Sequence, residues 1–158
     1  MSDSLTLEGG CACGVVRYRL LRQPMTVHCC HCRWCQRETG SAFVINAMIE
    51  SDQLETLDGD PELIETPSES GHGQKVVRCP ECKVALWSHY AGAGESISFL
   101  RVGTLDEPDN FPPEIHVFVS SKQAWLELND GKPAFDEFYS LKEVWPAESL
   151  ARIKAVKG

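Results

Sequence analysis

Cys30-His31-Cys32-Arg33-Trp34-Cys35 is the densest group of metal-binding residue types in this sequence. In an extended strand, successive side chains alternate between the two faces, so Cys30 and Cys32 should point one way and their neighbours Cys29 and His31 the other. A tight turn after Cys32 would then bring the third cysteine back toward the first two sulfurs. Three thiolates from one segment form most of a zinc shell, and a missing fourth ligand is typical of catalytic zinc sites.

The length and composition predict one globular domain over residues 1–158. The chain has 158 residues, of which 42% are hydrophobic, and this is enough for one core. No change in composition separates two halves. The net charge is −8 and the basic residues are scattered, which argues against a nucleic-acid-binding surface.

The eight cysteines favour metal binding over disulfides. The start of the sequence has no basic segment followed by an apolar run, and no apolar stretch approaches the roughly 18 residues of a membrane span. We therefore expect a soluble, cytoplasmic protein without a membrane partner. In that reducing compartment, cysteines bind metals more often than they form disulfides.

The pattern of β-branched and apolar residues predicts a mainly β fold. Strands are expected within Leu5–Leu20, at Met25–His28, over Ser41–Ile49, at Glu114–Val119 and over Gln123–Leu128. An exposed loop is expected over Thr66–Gln74. Only the tail from Pro146 to Lys157 has helical signals, with proline near its start and lysines toward its end. Trp87 and Trp125 are expected in the core or in a pocket wall.

Four further cysteines are predicted to form a closed, structural zinc site. Cys79 and Cys82 enclose Pro80 in a C-x-x-C turn, which is the form of a zinc knuckle. Such a knuckle needs two more sulfurs, and Cys11 with Cys13 on one face of the first strand is the natural complement. This pairing would close a loop of about seventy residues, where a metal clip is expected to stabilise most.

Alternatives remain open for the histidines and the eighth cysteine. Cys29 is expected to be a small buried apolar residue, or else a reserve ligand or redox partner. Cys30, Cys32 and Cys35, here called the triad, would form an open site, and the alternative is a second closed site completed by His28, His31 or Cys29. His31 is expected to pack in the core or at the surface rather than bind the ion. His116 is expected to be a half-buried strand histidine or a substrate-binding residue.

The spacing of the cysteines resembles one family. Three motifs are similar to those of the glutathione-dependent formaldehyde-activating enzymes, also called the Gfa or centromere-protein-V domain. They are Gly-x-Cys-x-Cys-Gly at 9–14, Cys-His-Cys-x-x-Cys with Gly-Ser-Ala-Phe at 30–43, and Cys-x-x-Cys at 79–82. The later stretches 103–106 and 116–120, the latter followed by Trp125, are similar too, so the resemblance covers about 7–138. One departure is Lys83, where the family commonly has glycine, and it suggests a divergent member whose substrate need not be formaldehyde.

The resemblance implies a β-tent fold and two zinc ions per chain, a structural one on Cys11, Cys13, Cys79 and Cys82 and a catalytic, more easily lost one on Cys30, Cys32 and Cys35. It also implies the condensation of glutathione with formaldehyde to S-(hydroxymethyl)glutathione, which in reverse is a carbon-sulfur lyase reaction.

Our hypothesis for the mechanism is that a thiol fills the fourth position, loses its proton and attacks an aldehyde carbon. Arg33 and Arg37, beside the triad, are candidates for binding a glutathione carboxylate, or else are surface residues. Two alternatives are a lyase acting on another thioether or thiohemiacetal and a non-catalytic zinc-binding interaction module.

Overall fold

The computed structural model describes residues 7–157 and is mainly β, as the sequence predicts. Its strands are β1 (Glu8–Gly10), β2 (Arg17–Leu20), β3 (Thr26–Cys30), β4 (Val44–Glu50), β5 (Leu54–Asp58), β6 (Glu62–Thr66), β7 (Gln74–Arg78), β8 (Ala85–Tyr90), β9 (Ile97–Arg101) and β10 (Ile115–Val117). Its α-helices are α1 (Arg33–Thr39), α2 (Leu141–Val144) and α3 (Ala147–Lys157). Within residues 7–157, no helix has the length and apolar character needed to cross a membrane.

The strands form two sheets. The larger is seven-stranded in the order β10-β3-β4-β9-β8-β7-β6, and the smaller is three-stranded in the order β1-β2-β5. β10 runs parallel to β3, whereas the other neighbours are antiparallel. The parallel pair joins distant parts of the chain beside the cysteine-rich segment.

The large sheet is covered on both faces around β3, the second strand from its β10 edge, so β3 is buried along its whole length. On one face, Val27 and Ala47 pack with Tyr18 of the small sheet. On the other face, Met48 packs in a second apolar cluster with Ile153 of α3. Alternation along β3 therefore sends neighbouring side chains into two different layers of the protein.

Helix α3 is held on the sheet by polar contacts as well as apolar ones. The Arg152 guanidinium donates to both carboxylate oxygens of Glu50, with distances of 2.9 Å from Nε to Oε2 and 2.6 Å from Nη2 to Oε1. These two side chains are only 9% and 7% exposed. In addition, Ser149 Oγ donates to the carbonyl oxygen of Met25 over 2.8 Å. The predicted tail helix is thus confirmed and covers the sheet at the start of β3.

Other predicted strands are confirmed with shifted boundaries. Met25–His28 becomes β3 and continues to Cys30, Ser41–Ile49 becomes β4, and Glu114–Val119 contains β10. The stretch Leu5–Leu20 contains β1 and β2, although its first two residues lie outside the described part of the chain. Thr66–Gln74 is a loop for most of its length, as expected, and leads into β7.

Two local expectations are wrong. Gln123–Leu128 is a turn rather than a strand, because Leu126 N–H donates to the carbonyl of Gln123 and Lys122 Nζ donates to the carbonyl of Leu126. The prediction for the two tryptophans is confirmed, because Trp87 is a buried core residue and Trp125, although 69% exposed, lines a cleft. The turn expected after Cys32 is in fact the first turn of helix α1.

Candidate metal centres

The structure brings the predicted quartet together. Cys11, Cys13, Cys79 and Cys82 form one group whose ligand atoms all lie within 4.8 Å of one another. The Sγ–Sγ distances are 3.6 Å between Cys11 and Cys13 and 3.7 Å between Cys13 and Cys79. Zinc–sulfur bonds of about 2.3 Å in a tetrahedron require edges of about 3.8 Å. These two distances therefore match the edges of a zinc tetrahedron, and the remaining sulfur pairs lie within 4.8 Å.

Backbone amides surround these sulfurs in a way that favours thiolates. Val16 N–H donates to Cys11 Sγ over 3.3 Å, and Glu81 N–H donates to Cys79 Sγ over 3.3 Å. A backbone hydrogen bond with Val84, followed by those with the neighbouring cysteines, lowers the pKa of Cys82 to about 6. The thiolate is the form that binds metals, so the quartet fits a structural zinc ion.

The knuckle turn contains the residue at which the sequence departs from the family pattern. Lys83 has φ 66°, in the left-handed region that favours glycine. Its N–H donates to the carbonyl of Cys79 over 3.0 Å, which closes the turn around the C-x-x-C pair. The turn thus keeps a glycine-like conformation despite the lysine side chain.

The structure also brings Cys30, Cys32 and Cys35 together. Cys30 ends β3, Cys32 is the N-cap of α1, and Cys35 lies in the first helical turn. The Cys32 sulfur accepts the Cys35 N–H over 3.3 Å, in the role that a serine or aspartate oxygen usually has at a helix start. Within residues 7–157, no further histidine, cysteine or carboxylate joins this group.

The three thiols share their protons unequally. Hydrogen bonds from Cys30 and Cys35 lower the pKa of Cys32 to about 3, with help from backbone amides at the start of α1. The same hydrogen bonds raise the pKa of Cys30, whose thiol is a donor within the group. A low-pKa thiol at a helix N-terminus is the state expected of a metal-binding or reactive cysteine. The donor set thus fits a zinc ion held by three thiolates.

A buried arginine lies close enough to act electrostatically on this group. Arg101, in β9, is 6% exposed, and its Nη1 donates to Asn46 Oδ1 over 2.7 Å. Its charge favours the thiolate form of Cys35. Burial raises the pKa of Tyr90, and the thiolate charge of Cys35 raises it further. Arg101 and Tyr90 therefore provide a cation and a protonated hydroxyl on the triad side of the sheet.

The predicted arginines line one cleft next to the triad. The cleft has a volume of about 450 Å³ and is lined by Arg33, Gln36, Arg37, Gly40, Ser41, Ala42, Phe43, Gln123 and Trp125. Cys35 is buried on the inner side of α1, whereas Arg33 and Arg37 are exposed on the same helix. The three cysteines do not themselves line the cleft.

Cys29, His31 and His116 form a third group, on the other face of β3. This position of Cys29 and His31 is the one predicted by strand alternation. His116 is 4% exposed rather than half-buried, and it does not line the cleft that contains Arg33 and Arg37. Its Nε2 lies 2.8 Å from Asp130 Oδ2 and its Nδ1 lies 3.0 Å from His31 Nε2.

Sequence reasoning missed Arg101 and Asp130. Arg101 follows a run of apolar residues and carries no motif of its own. The contact between His31 and His116 joins residues 85 positions apart and depends on the parallel pairing of β10 with β3. No local pattern specifies that pairing. For Arg101 one signal was available, because an arginine at the end of an apolar strand is unusual and worth testing.

Three comparisons with known proteins found similar sequences and structures. Residues 6–121 match the sequence model of a family described as "Glutathione-dependent formaldehyde-activating enzyme". A Halomonas elongata protein named "Putative glutathione-dependent formaldehyde-activating enzyme" is 27% identical over 129 residues, which are 78% of this chain and 82% of that protein. A Rhodobacter sphaeroides crystal structure is 18% identical with a TM-score of 0.49, over 81% of this chain and 98% of the other.

Proposed function

Because the chain belongs to the family of glutathione-dependent formaldehyde-activating enzymes, we propose that it is a zinc-dependent carbon-sulfur lyase similar to S-(hydroxymethyl)glutathione synthase. Its substrates would be a small thiol such as glutathione and an aldehyde. In the forward direction the thiol sulfur adds to the carbonyl carbon, the thiol proton is lost, and the carbonyl oxygen gains a proton. One observation carries the proposal. The sulfurs of Cys30, Cys32 and Cys35 lie together, and no fourth ligand from residues 7–157 joins them.

Cys30, Cys32 and Cys35 would hold the catalytic zinc ion, and Cys11, Cys13, Cys79 and Cys82 the structural one. When bound, the catalytic ion would supply Lewis acidity, which favours the thiolate form of a substrate thiol and polarises a carbonyl group. Only the triad leaves room in a tetrahedral shell for such a substrate, because the quartet already provides four sulfurs.

The residues around the triad support this chemistry electrostatically. Three thiolates and one divalent ion carry a net charge of −1, and a further thiolate makes it −2. Arg101 is buried and has no carboxylate within ion-pair distance in residues 7–157, so its charge is available to offset this negative charge. Backbone N–H groups at the start of α1 hold the Cys32 sulfur in place while substrate binds.

The cleft lined by Arg33 and Arg37 would bind the rest of the thiol substrate. Arg33 and Arg37 present two guanidinium groups, which suit the carboxylates of glutathione. Arg33 Nη1 donates to Gln36 Oε1 over 3.0 Å, so its side chain is already oriented along the cleft. Gln123 Nε2 donates to the same oxygen over 3.2 Å. In a chain with a net charge of −8, an acidic ligand needs such a local group of cations.

Replacing Cys32 with serine tests the proposal. Cys32→Ser removes one of three ligands, so we expect it to bind one zinc equivalent fewer than the wild type and to lose thiol-aldehyde condensation, measured by the disappearance of free thiol. The circular dichroism spectrum should stay that of the wild type, because the quartet is untouched. Thr39→Ser, on the same helix but outside the triad, is the control and should keep both zinc and activity.

Two results would contradict the proposal. One is full condensation activity in Cys32→Ser after its zinc content has been shown to fall. The other is a wild-type protein with zinc in both cysteine groups that condenses no thiol with any simple aldehyde. The second result would favour an interaction module instead.

A further inference from the structure

The face of β3 opposite to the triad carries a second set of metal-binding residue types. Cys29 and His31 point to this face, and the parallel register places His116 of β10 directly beside Cys29. His31 is held next to β10 because its N–H donates to the carbonyl of Val117 over 3.0 Å. Ligand atoms of the three side chains all lie within 4.8 Å of one another. The proposed reaction uses none of these three residues.

Hydrogen bonding among residues 7–157 leaves one ring nitrogen of this group without a partner. The Asp130 carboxylate can only accept, so His116 Nε2 carries the proton that it donates over 2.8 Å. The Nδ1 atom of His116 is then an acceptor, and His31 Nε2 donates to it over 3.0 Å. The other nitrogen of His31, Nδ1, is buried and has no hydrogen-bond partner in residues 7–157. Buried polar atoms rarely lack a partner, so the polar contacts of this group are incomplete among the described residues.

We propose that Cys29, His31 and His116 bind a divalent metal ion of the zinc type, separate from the ions of the two cysteine groups. A thiolate and two imidazoles are ligands that zinc prefers. His116 would bind through Nδ1, because Asp130 holds its other nitrogen. In a tetrahedral zinc site two ring nitrogens lie about 3.3 Å apart, so the 3.0 Å between His31 and His116 needs to grow only slightly.

The charges and the outer contacts of the group also suit an ion. One divalent cation, one Cys29 thiolate and the Asp130 carboxylate sum to zero, so the buried site would carry no net charge. The contact from His116 to Asp130 is the carboxylate–histidine arrangement found around metal-binding histidines, where it fixes the tautomer and the ring orientation. Asp130 is itself held by the Lys132 N–H at 3.1 Å, and its side chain is 39% exposed.

Metal counting on the full chain tests this site without reference to activity. After saturation with zinc sulfate and removal of loose metal, we expect the wild type to bind one equivalent more than Cys29→Ser or His116→Gln. Asp130→Asn should keep the site but weaken its zinc affinity about 10- to 100-fold, since it alters only an outer contact. His89→Gln, a partly buried strand histidine outside the three groups, is the matched control and should bind as much zinc as the wild type.

Two outcomes would overturn the proposal. One is a zinc content in saturated wild-type protein that Cys29→Ser does not lower. The other outcome applies if Cys29→Ser and His116→Gln both fail to fold, so that only Asp130→Asn can be measured. An Asp130→Asn protein that binds every zinc ion with wild-type affinity would then overturn the proposal. Because Cys29, His116 and Asp130 lie outside the triad, loss of condensation activity in Cys32→Ser neither supports nor weakens this site.

Discussion

Lys83 is held in a backbone conformation that glycine adopts more easily. Its φ of 66° lies in the left-handed region, which costs about 1–2 kcal/mol for a residue with a Cβ. The side chain offers little in return, because Lys83 Nζ pairs with Glu62 at an exposed site. The knuckle turn of the quartet therefore stores strain at one position.

We predict that Lys83→Gly is more stable than Lys83→Ala by about 0.5–1 kcal/mol, because relief of the strain exceeds the extra unfolded-state entropy of glycine. Both variants lose the contact with Glu62, so their difference isolates the backbone effect. The measurement is urea unfolding of the zinc-loaded proteins. A glycine variant no more stable than the alanine variant would show that the turn is not strained.

The arginines of the cleft lead to a prediction about substrate selectivity. We expect Arg33→Gln combined with Arg37→Gln to raise the KM for glutathione about tenfold or more, since hydrogen bonds to charged groups contribute roughly 1.5–3 kcal/mol. The KM for 2-mercaptoethanol, which has no carboxylate, should not change. Arg19→Gln, at a salt-bridged surface position away from the cleft, is the control. An equal rise for both thiols would rule out carboxylate recognition by this pair.

Helix α1 shows why one element of the site could not be predicted. Its segment, Arg33–Thr39, is short and has no apolar periodicity, and its N-cap is Cys32 rather than a serine, threonine or aspartate. One signal was present at its end. Gly40 adopts φ 65° and donates its N–H to Gln36, which is a common way for a helix to terminate.

The segment Gln123–Leu128, which contains Trp125, shows the opposite error, because a strand was predicted there and the structure has a turn. Its mixture of apolar and polar residues resembles an edge strand, but it pairs with no strand of the described sheets, and Leu126 N–H instead donates to the carbonyl of Gln123. Strand propensity measures fit to a neighbouring strand more than an intrinsic preference, so alternation alone was not sufficient.

The docking of α3 leads to a prediction about pH. Burial alone would raise the pKa of Glu50, but the hydrogen bonds and charge of Arg152 outweigh it, and the pKa is lowered. A carboxylate whose pKa is lowered in the folded state stabilises the fold at pH values above its unfolded-state pKa of about 4.3. This stabilisation is lost as the pH falls through the folded-state pKa.

We therefore expect Glu50→Gln to reduce the free energy of unfolding by about 3 kcal/mol at neutral pH, because it leaves Arg152 buried without its partner. The difference from the wild type should shrink as the pH falls below about 4, where Glu50 itself becomes neutral. Glu95→Gln, which removes an exposed partner of Lys75, should change stability little. A difference that stays constant with pH would contradict this reading of the ion pair.

At the scale of the whole molecule, the partition of the cysteines was predictable and the surroundings of the sites were not. The split between the triad and Cys29 follows from strand alternation, and the quartet follows from the spacing of a knuckle and a C-x-C pair. Arg101, Asp130 and the contact between His31 and His116 depend on which strands become neighbours. That choice is made by the packing of the whole chain, so residues distant in sequence meet only in the folded structure.

The central claim is that the triad binds an ion whose fourth ligand does not come from the protein. Anomalous diffraction at the zinc edge, from crystals of the zinc-loaded protein with and without glutathione, tests it most directly. We predict an ion contacted by Cys30, Cys32 and Cys35 and by one further ligand, from solvent in the first crystal and from the glutathione sulfur in the second. A histidine, cysteine or carboxylate of this chain at the fourth position in both crystals would contradict the account.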